Sequence, residues 1–209
     1  MPGRKFMLMN KRNALQVLLT GAGLTALAGI TAGCSEKAQT FSAIDITGAD
    51  YARDFDLTDH NGQRRTLKDF AGKVVVLFFG YTQCPDVCPT AMAEIAEVRQ
   101  LLGKDGERVQ GLFVTVDPAR DTPEVLKNYM AAFDPSFLAL YTTPEKLEAL
   151  AKDYKVFYKK VEGKTPTSYS MDHSAGCYIY DPQGKLRLYT RYGAGAALMA
   201  GDIKQLMHP

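Results

Sequence analysis

The chain has 209 residues, 46% of them apolar and 23% charged, a globular composition with length for one packed domain plus a leader and no sign of a second domain. The formal net charge is +2, but Arg4, Lys5, Lys11 and Arg12 precede residue 34, where there is no acidic residue; the rest carries 21 of the 25 basic residues against 23 acidic ones, a net −2. Near neutrality argues against nucleic acid as a partner.

The basic start is followed by an uncharged stretch over 14–33, rich in Leu, Ala, Gly and Thr, and then by Gly33-Cys34-Ser35. This reads as an export signal over 1–33. Ala32 and Gly33 before a cysteine resemble a bacterial lipoprotein processing site, with Thr31 where that pattern usually has Leu, and Cys34 becomes the lipid-bearing first residue. The alternative is an uncleaved membrane anchor, since the stretch approaches the roughly 20 residues that span a bilayer. Its Gly- and Thr-rich composition makes a poor permanent span. Either anchor tethers the protein to the membrane on the extracytoplasmic, periplasmic side.

Residues 34–50 mix small, polar and charged types without period and read as a linker to a domain over 51–209. Alternation over 54–58, the turn signal Asn61-Gly62 and a resumed run over 64–67 predict an N-terminal β-hairpin. The continuously apolar run 73–79 predicts a central strand covered on both faces. A helix is expected from Pro89 to about Gly103, on the spacing of Met92, Ile95, Ala96, Val98, Leu101 and Leu102. A second buried strand over 109–116, a helix from Thr122-Pro123, a short strand over 137–141 and a helix from Thr143-Pro144 follow. Strand, helix, strand, helix implies parallel pairing. After an irregular polar stretch over 162–170, strands over 175–180 and 185–189 flank the turn Asp181-Pro182-Gln183-Gly184, and a helix over 196–207 closes the chain. The expected fold is a thioredoxin-like α/β sandwich.

Chemistry concentrates in Cys84-Pro85-Asp86-Val87-Cys88-Pro89, where two thiols follow the central strand and precede a helix. The positive end of the helix dipole favours thiolate at both, and most at Cys88. Cysteines with three residues between them can converge on one ion, whereas the two-residue gap of thiol oxidoreductases usually serves redox exchange. His173, just before a predicted strand, adds an imidazole, and two soft sulfurs with one imidazole suit copper, Cu(I) or Cu(II). Structural zinc would demand a fourth protein ligand. A plain disulfide between Cys84 and Cys88 is the blander alternative. Cys177 reads as a small buried core residue, Met171 as packing, and His60 and His208 as exposed.

Together with Asp117-Pro118-Ala119-Arg120-Asp121-Thr122-Pro123 and Asp172-His173-Ser174, the cysteine loop makes the chain resemble the Sco/SenC family of copper-delivery proteins from about Phe55 to the C-terminus. The resemblance implies one copper held by Cys84, Cys88 and His173. It further implies delivery to the copper-bearing subunit of cytochrome c oxidase, to build its copper A centre, with other copper chaperones or thiol oxidoreductases as further partners. Asp117 would lie near the metal loop and support partner or redox function without being a ligand. The rival function is enzymatic: a thiol-disulfide oxidoreductase that uses Cys84 and Cys88, with Cys84 as the more exposed attacking thiol, and reduces the cysteines of the copper acceptor. Oxidoreductases of this fold carry a cis-proline in the loop where His173 falls, and this chain has no proline there.

Overall fold

A computed structural model of the protein describes residues 39–165 and 168–208; the expected export signal and Cys34 lie outside them. Among the described residues no helix is long and apolar enough to cross a membrane.

The strands are β1 (Ile44–Asp45), β2 (Leu57–Asp59), β3 (Arg64–Arg65), β4 (Val74–Gly80), β5 (Val109–Thr115), β6 (Leu138–Tyr141), β7 (Tyr158–Glu162), β8 (Tyr169–His173), β9 (Gly176–Tyr180) and β10 (Leu186–Arg191). The helices are α1 (Val87–Leu101), α2 (Pro123–Ala131), α3 (Pro144–Asp153) and α4 (Ala196–Met207). One sheet runs in the order β1-β10-β9-β4-β5-β6-β2-β3, and β7 with β8 forms a separate two-stranded sheet. Pairing is parallel between β4 and β5 and between β5 and β6, and antiparallel between β4 and β9. This is the expected α/β sandwich with an N-terminal hairpin.

β4 is the base of the structure. All seven of its residues are buried, and each of its six apolar side chains contributes about 2 kcal/mol on burial. Alternation sends successive side chains to opposite faces. Phe78 packs on Phe113, while Phe79 meets Tyr154, which caps α3, and Tyr178 of β9. The chain leaves β4 at a fixed point because its core cannot shift cheaply.

Four elements differ from expectation. α1 begins at Val87, so Pro89 sits third in the helix, where its missing N–H is still one that no helix carbonyl would have used. The stretch read as irregular, 162–170, includes the inner ends of a β7–β8 hairpin that was not expected, with Tyr158 opposite His173 and Glu162 opposite Tyr169. His173 therefore ends a strand of its own, with two residues between it and β9. Within the segment expected as a linker, β1 pairs with β10, and the Asp202 carboxylate accepts from the amides of Ser42 (2.9 Å) and Ala43 (2.8 Å). His60, expected exposed, is half-buried: its Nδ1 accepts from the Ala139 amide at 3.1 Å and its own amide donates to the Ala139 carbonyl at 3.0 Å, extending the β2–β6 ladder.

Candidate metal centre

The turn after β4 and the first turn of α1 place the two sulfurs. Cys84 is partly exposed and Cys88 is fully buried. The Cys88 amide, one of the unpaired donors of a helix start, points at Cys84 Sγ at 3.4 Å. The first-turn donor thus serves Cys84, while burial pushes the Cys88 thiol up from its ordinary value. At Cys88 burial outweighs the helix-dipole effect that the sequence suggested. Gly80 makes room for this sulfur: a Cβ there would lie 2.8 Å from Cys88 Sγ.

His173 enters from the β7–β8 hairpin, 85 residues along the chain from Cys88. Its Nδ1 lies 2.9 Å from the Ser174 carbonyl. A carbonyl can only accept, so Nδ1 carries the proton and the Nε2 lone pair faces the sulfurs, 3.3 Å from Cys88 Sγ. Phe78 and Tyr81 present edge-on contacts to the imidazole at 5.9 and 5.8 Å between ring centroids. Burial lowers the His173 pKa, favouring the neutral ring a metal needs.

The donor atoms of Cys84, Cys88 and His173 all lie within 4.8 Å of one another. Bonds of about 2.0–2.3 Å to one ion put donors at most about 4.6 Å apart, so the site needs to close by only a few tenths of an ångström. Among the described residues this is the one such cluster of Cys, His, Asp or Glu, and it offers three ligands. Two sulfurs, one imidazole and no fourth acidic or imidazole donor match copper better than structural zinc.

Asp117 is buried and is not one of the clustered donors. It pairs with Arg120 and accepts from the Tyr169 hydroxyl at 2.8 Å, and it reaches the metal loop through Arg120, which donates to Gln83 at 3.0 Å. The carboxylate that grips this loop directly is Asp121, whose role sequence reasoning missed. It is 2% exposed and accepts from the Thr82 amide (3.1 Å), the Thr82 hydroxyl and the Thr115 hydroxyl (each 2.5 Å), while burial raises its pKa. The signal for Asp121 and Arg120 was present, since both stand in the second of the three motifs. Cys177, on β9 opposite Phe78, is a core residue whose thiol burial pushes up to about 12. Met171 is buried, and His208 is exposed near Asp105.

The SCO1/SenC family profile matches residues 45–208. A SCO2-like protein of Rickettsia felis is 37% identical over 133 residues, which cover 63% of this chain and 65% of that protein. The mitochondrial protein SCO2 of Saccharomyces cerevisiae is 38% identical over 133 residues, covering 63% of this chain and 44% of that protein. The match thus spans less than two thirds of these relatives. The structure of Bradyrhizobium japonicum ScoI with copper bound is 41% identical, covers 73% of this chain and 97% of that one, and superposes with a TM-score of 0.67. The profile spans most of the sequence and includes all three motifs, so this chain belongs to the SCO1/SenC family.

Proposed function

We propose that this protein is an extracytoplasmic copper carrier that binds one ion through Cys84, Cys88 and His173 and delivers it to the copper-bearing subunit of cytochrome c oxidase. The observation that carries the reading is the convergence of two thiols from the β4–α1 junction and one imidazole from a separate hairpin. With three protein ligands and Cys84 partly exposed, an acceptor cysteine or histidine can approach the ion and exchange ligands one at a time. A Cys84–Cys88 disulfide leaves no thiolate to bind, so thiol oxidation blocks loading. Delivery to the oxidase rests on the family resemblance.

Anaerobic copper titration of the reduced protein gives one equivalent bound. Cys84→Ser, Cys88→Ser and the disulfide-oxidised protein each lose that equivalent. Stoichiometric binding by the double cysteine variant would rule the site out.

The tether is part of the same proposal, with Cys34 lipidated after removal of residues 1–33. Intact mass of membrane-extracted protein shows a chain beginning at Cys34 with an added lipid. A full-length, unmodified mass would establish the uncleaved anchor instead.

A second reading is favoured by the unequal exposure of the cysteines, the arrangement a dithiol reductase uses. Cys84 attacks an acceptor disulfide and releases one acceptor thiolate; Cys88 then attacks Cys84, releasing the second. Two electrons pass to the acceptor and a Cys84–Cys88 disulfide remains. Full biological activity of a His173→Ala variant would select this reading, because thiol exchange does not require the imidazole.

A further inference from the structure

The two halves of the metal site belong to different sheets. The β7–β8 hairpin that carries His173 has no ladder to the main sheet, and a two-stranded hairpin is marginal by itself. Two residues, Ser174 and Ala175, join the hairpin to β9, and side-chain contacts add to that link in fixing where the imidazole sits relative to the sulfurs.

Arg120 makes that connection most directly. Its Nε donates to the Asp117 carboxylate, and its Nη1 donates both to Gln83 Oε1 at 3.0 Å and to the Tyr169 carbonyl at 2.9 Å. The guanidinium also stacks 3.5 Å from the centroid of the Tyr169 ring. Gln83 immediately precedes Cys84, and Tyr169 is the first residue of the strand that ends in His173. Asp117 closes the arrangement by accepting from the Tyr169 hydroxyl. The next residue, Asp121, holds Thr82 in the cysteine loop. A largely buried guanidinium is costly unless charge, hydrogen bonds and an aromatic face compensate; here the groups being joined supply all three at Nε, Nη1 and the ring face, while Nη2 is buried without a hydrogen-bond partner.

We propose that Arg120 is the positioning residue of the metal site, a clasp that keeps the histidine hairpin docked on the cysteine loop so that Nε2 of His173 reaches the ion. This rests on the copper reading. Arg120 touches neither sulfur nor imidazole in the bonds described, and it acts through Tyr169 and Gln83. Its loss leaves the thiols in place and removes the fixed imidazole, so the form of copper that depends on nitrogen suffers most. A lysine cannot substitute, because one ammonium lacks the planar fork that spans Asp117, Gln83 and the Tyr169 carbonyl together.

The test compares full-length wild type, Arg120→Ala, Arg120→Lys and His173→Ala, purified in detergent, by Cu(II) and Cu(I) competition titration and by hydrogen exchange of the apo forms. Both Arg120 variants lose about tenfold or more in Cu(II) affinity, as expected for hydrogen bonds to a charged group, while Cu(I) affinity stays within about threefold. Amides of β8 exchange faster and those of β4 and β5 do not. Wild-type Cu(II) affinity in Arg120→Ala beside an impaired His173→Ala overturns the clasp and leaves the copper site standing. Wild-type affinity in His173→Ala sinks the site itself. Full rescue by Arg120→Lys, or equal loss of both oxidation states with faster exchange in β4 and β5, also overturns the clasp. The first shows that charge alone suffices and the second that the fold has failed.

Discussion

His173→Ala weakens Cu(II) binding about a hundredfold, or about 2.7 kcal/mol, and Cu(I) binding by less than about tenfold. The asymmetry follows from the donor set. Two thiolates are a sufficient set for the soft Cu(I) ion, whereas Cu(II) is served by imidazole nitrogen. In this protein the imidazole is already neutral-favoured, its Nδ1 is committed to the Ser174 carbonyl and its Nε2 faces Cys88, so little rearrangement accompanies its ligation. Removing the ring takes away a preorganised ligand without disturbing the β4–α1 junction that holds the sulfurs. Paired competition titrations, one with a Cu(I) chelator and one with a Cu(II) chelator, measure the split. Equal losses in both states, or none in either, would remove His173 from the coordination sphere.

Gly80→Ala destabilises the fold by about 2–3 kcal/mol and abolishes stoichiometric copper loading. A methyl group at this position would sit 2.8 Å from Cys88 Sγ, 2.8 Å from Phe78 and 2.9 Å from Phe113. Both rings are fully buried, and in a close-packed interior neither can retreat without disturbing further contacts. The first turn of α1 is the part that can give, and its movement carries Cys88 away from Cys84 and His173. Urea unfolding and copper titration of the reduced variant check both halves of the expectation. Unchanged stability with one equivalent bound would show that the turn accommodates the methyl group.

The parts of this fold that could be read in the sequence are those whose burial is written into a local pattern. β4 is an apolar run ending in Gly80, β5 is mostly apolar with Gln110 and Thr115 within it, every residue of both is buried, and α4 spans the expected residues, starting after a glycine and following helical spacing. The β7–β8 hairpin was not legible for the converse reason. Tyr158–Glu162 has no fully buried residue, and Met171 is the one buried residue of Tyr169–His173, so neither strand shows a clean two-residue alternation. β1 is two residues long and exposed, and nothing local to Ser42 or Ala43 announces that Asp202 will bind their amides.

The site divides in the same way. Its three candidate ligands were legible because cysteine and histidine are chemically distinctive, and their neighbourhood in space followed from the family resemblance. At Cys88 the helix dipole could be inferred from sequence, while the complete burial that pushes its thiol up could not, because it depends on tertiary packing such as the close approach of Gly80 to the sulfur. Asp121 and Arg120 were overlooked in favour of Asp117. Which carboxylate of that run meets Thr82 and which meets Arg120 is decided by the turn after β5, where the Asp121 amide donates to the Asp117 carbonyl at 3.0 Å.

The attachment of the first described residues to the end of the chain has a mechanical consequence. Ser42 and Ala43 hang from Asp202 in α4, Gln39 donates to the carbonyl of Gln205 at 3.0 Å, and the Ile46 amide donates to the carbonyl of Arg187 at 2.9 Å. A pull arriving through the N-terminal segment is taken up as shear by the last helix and the β1–β10 edge. Residues 84, 88 and 173 belong to neither, so a load applied at residues 39–46 reaches them indirectly, through the packing of α4 on α1 and the β10–β9–β4 ladders.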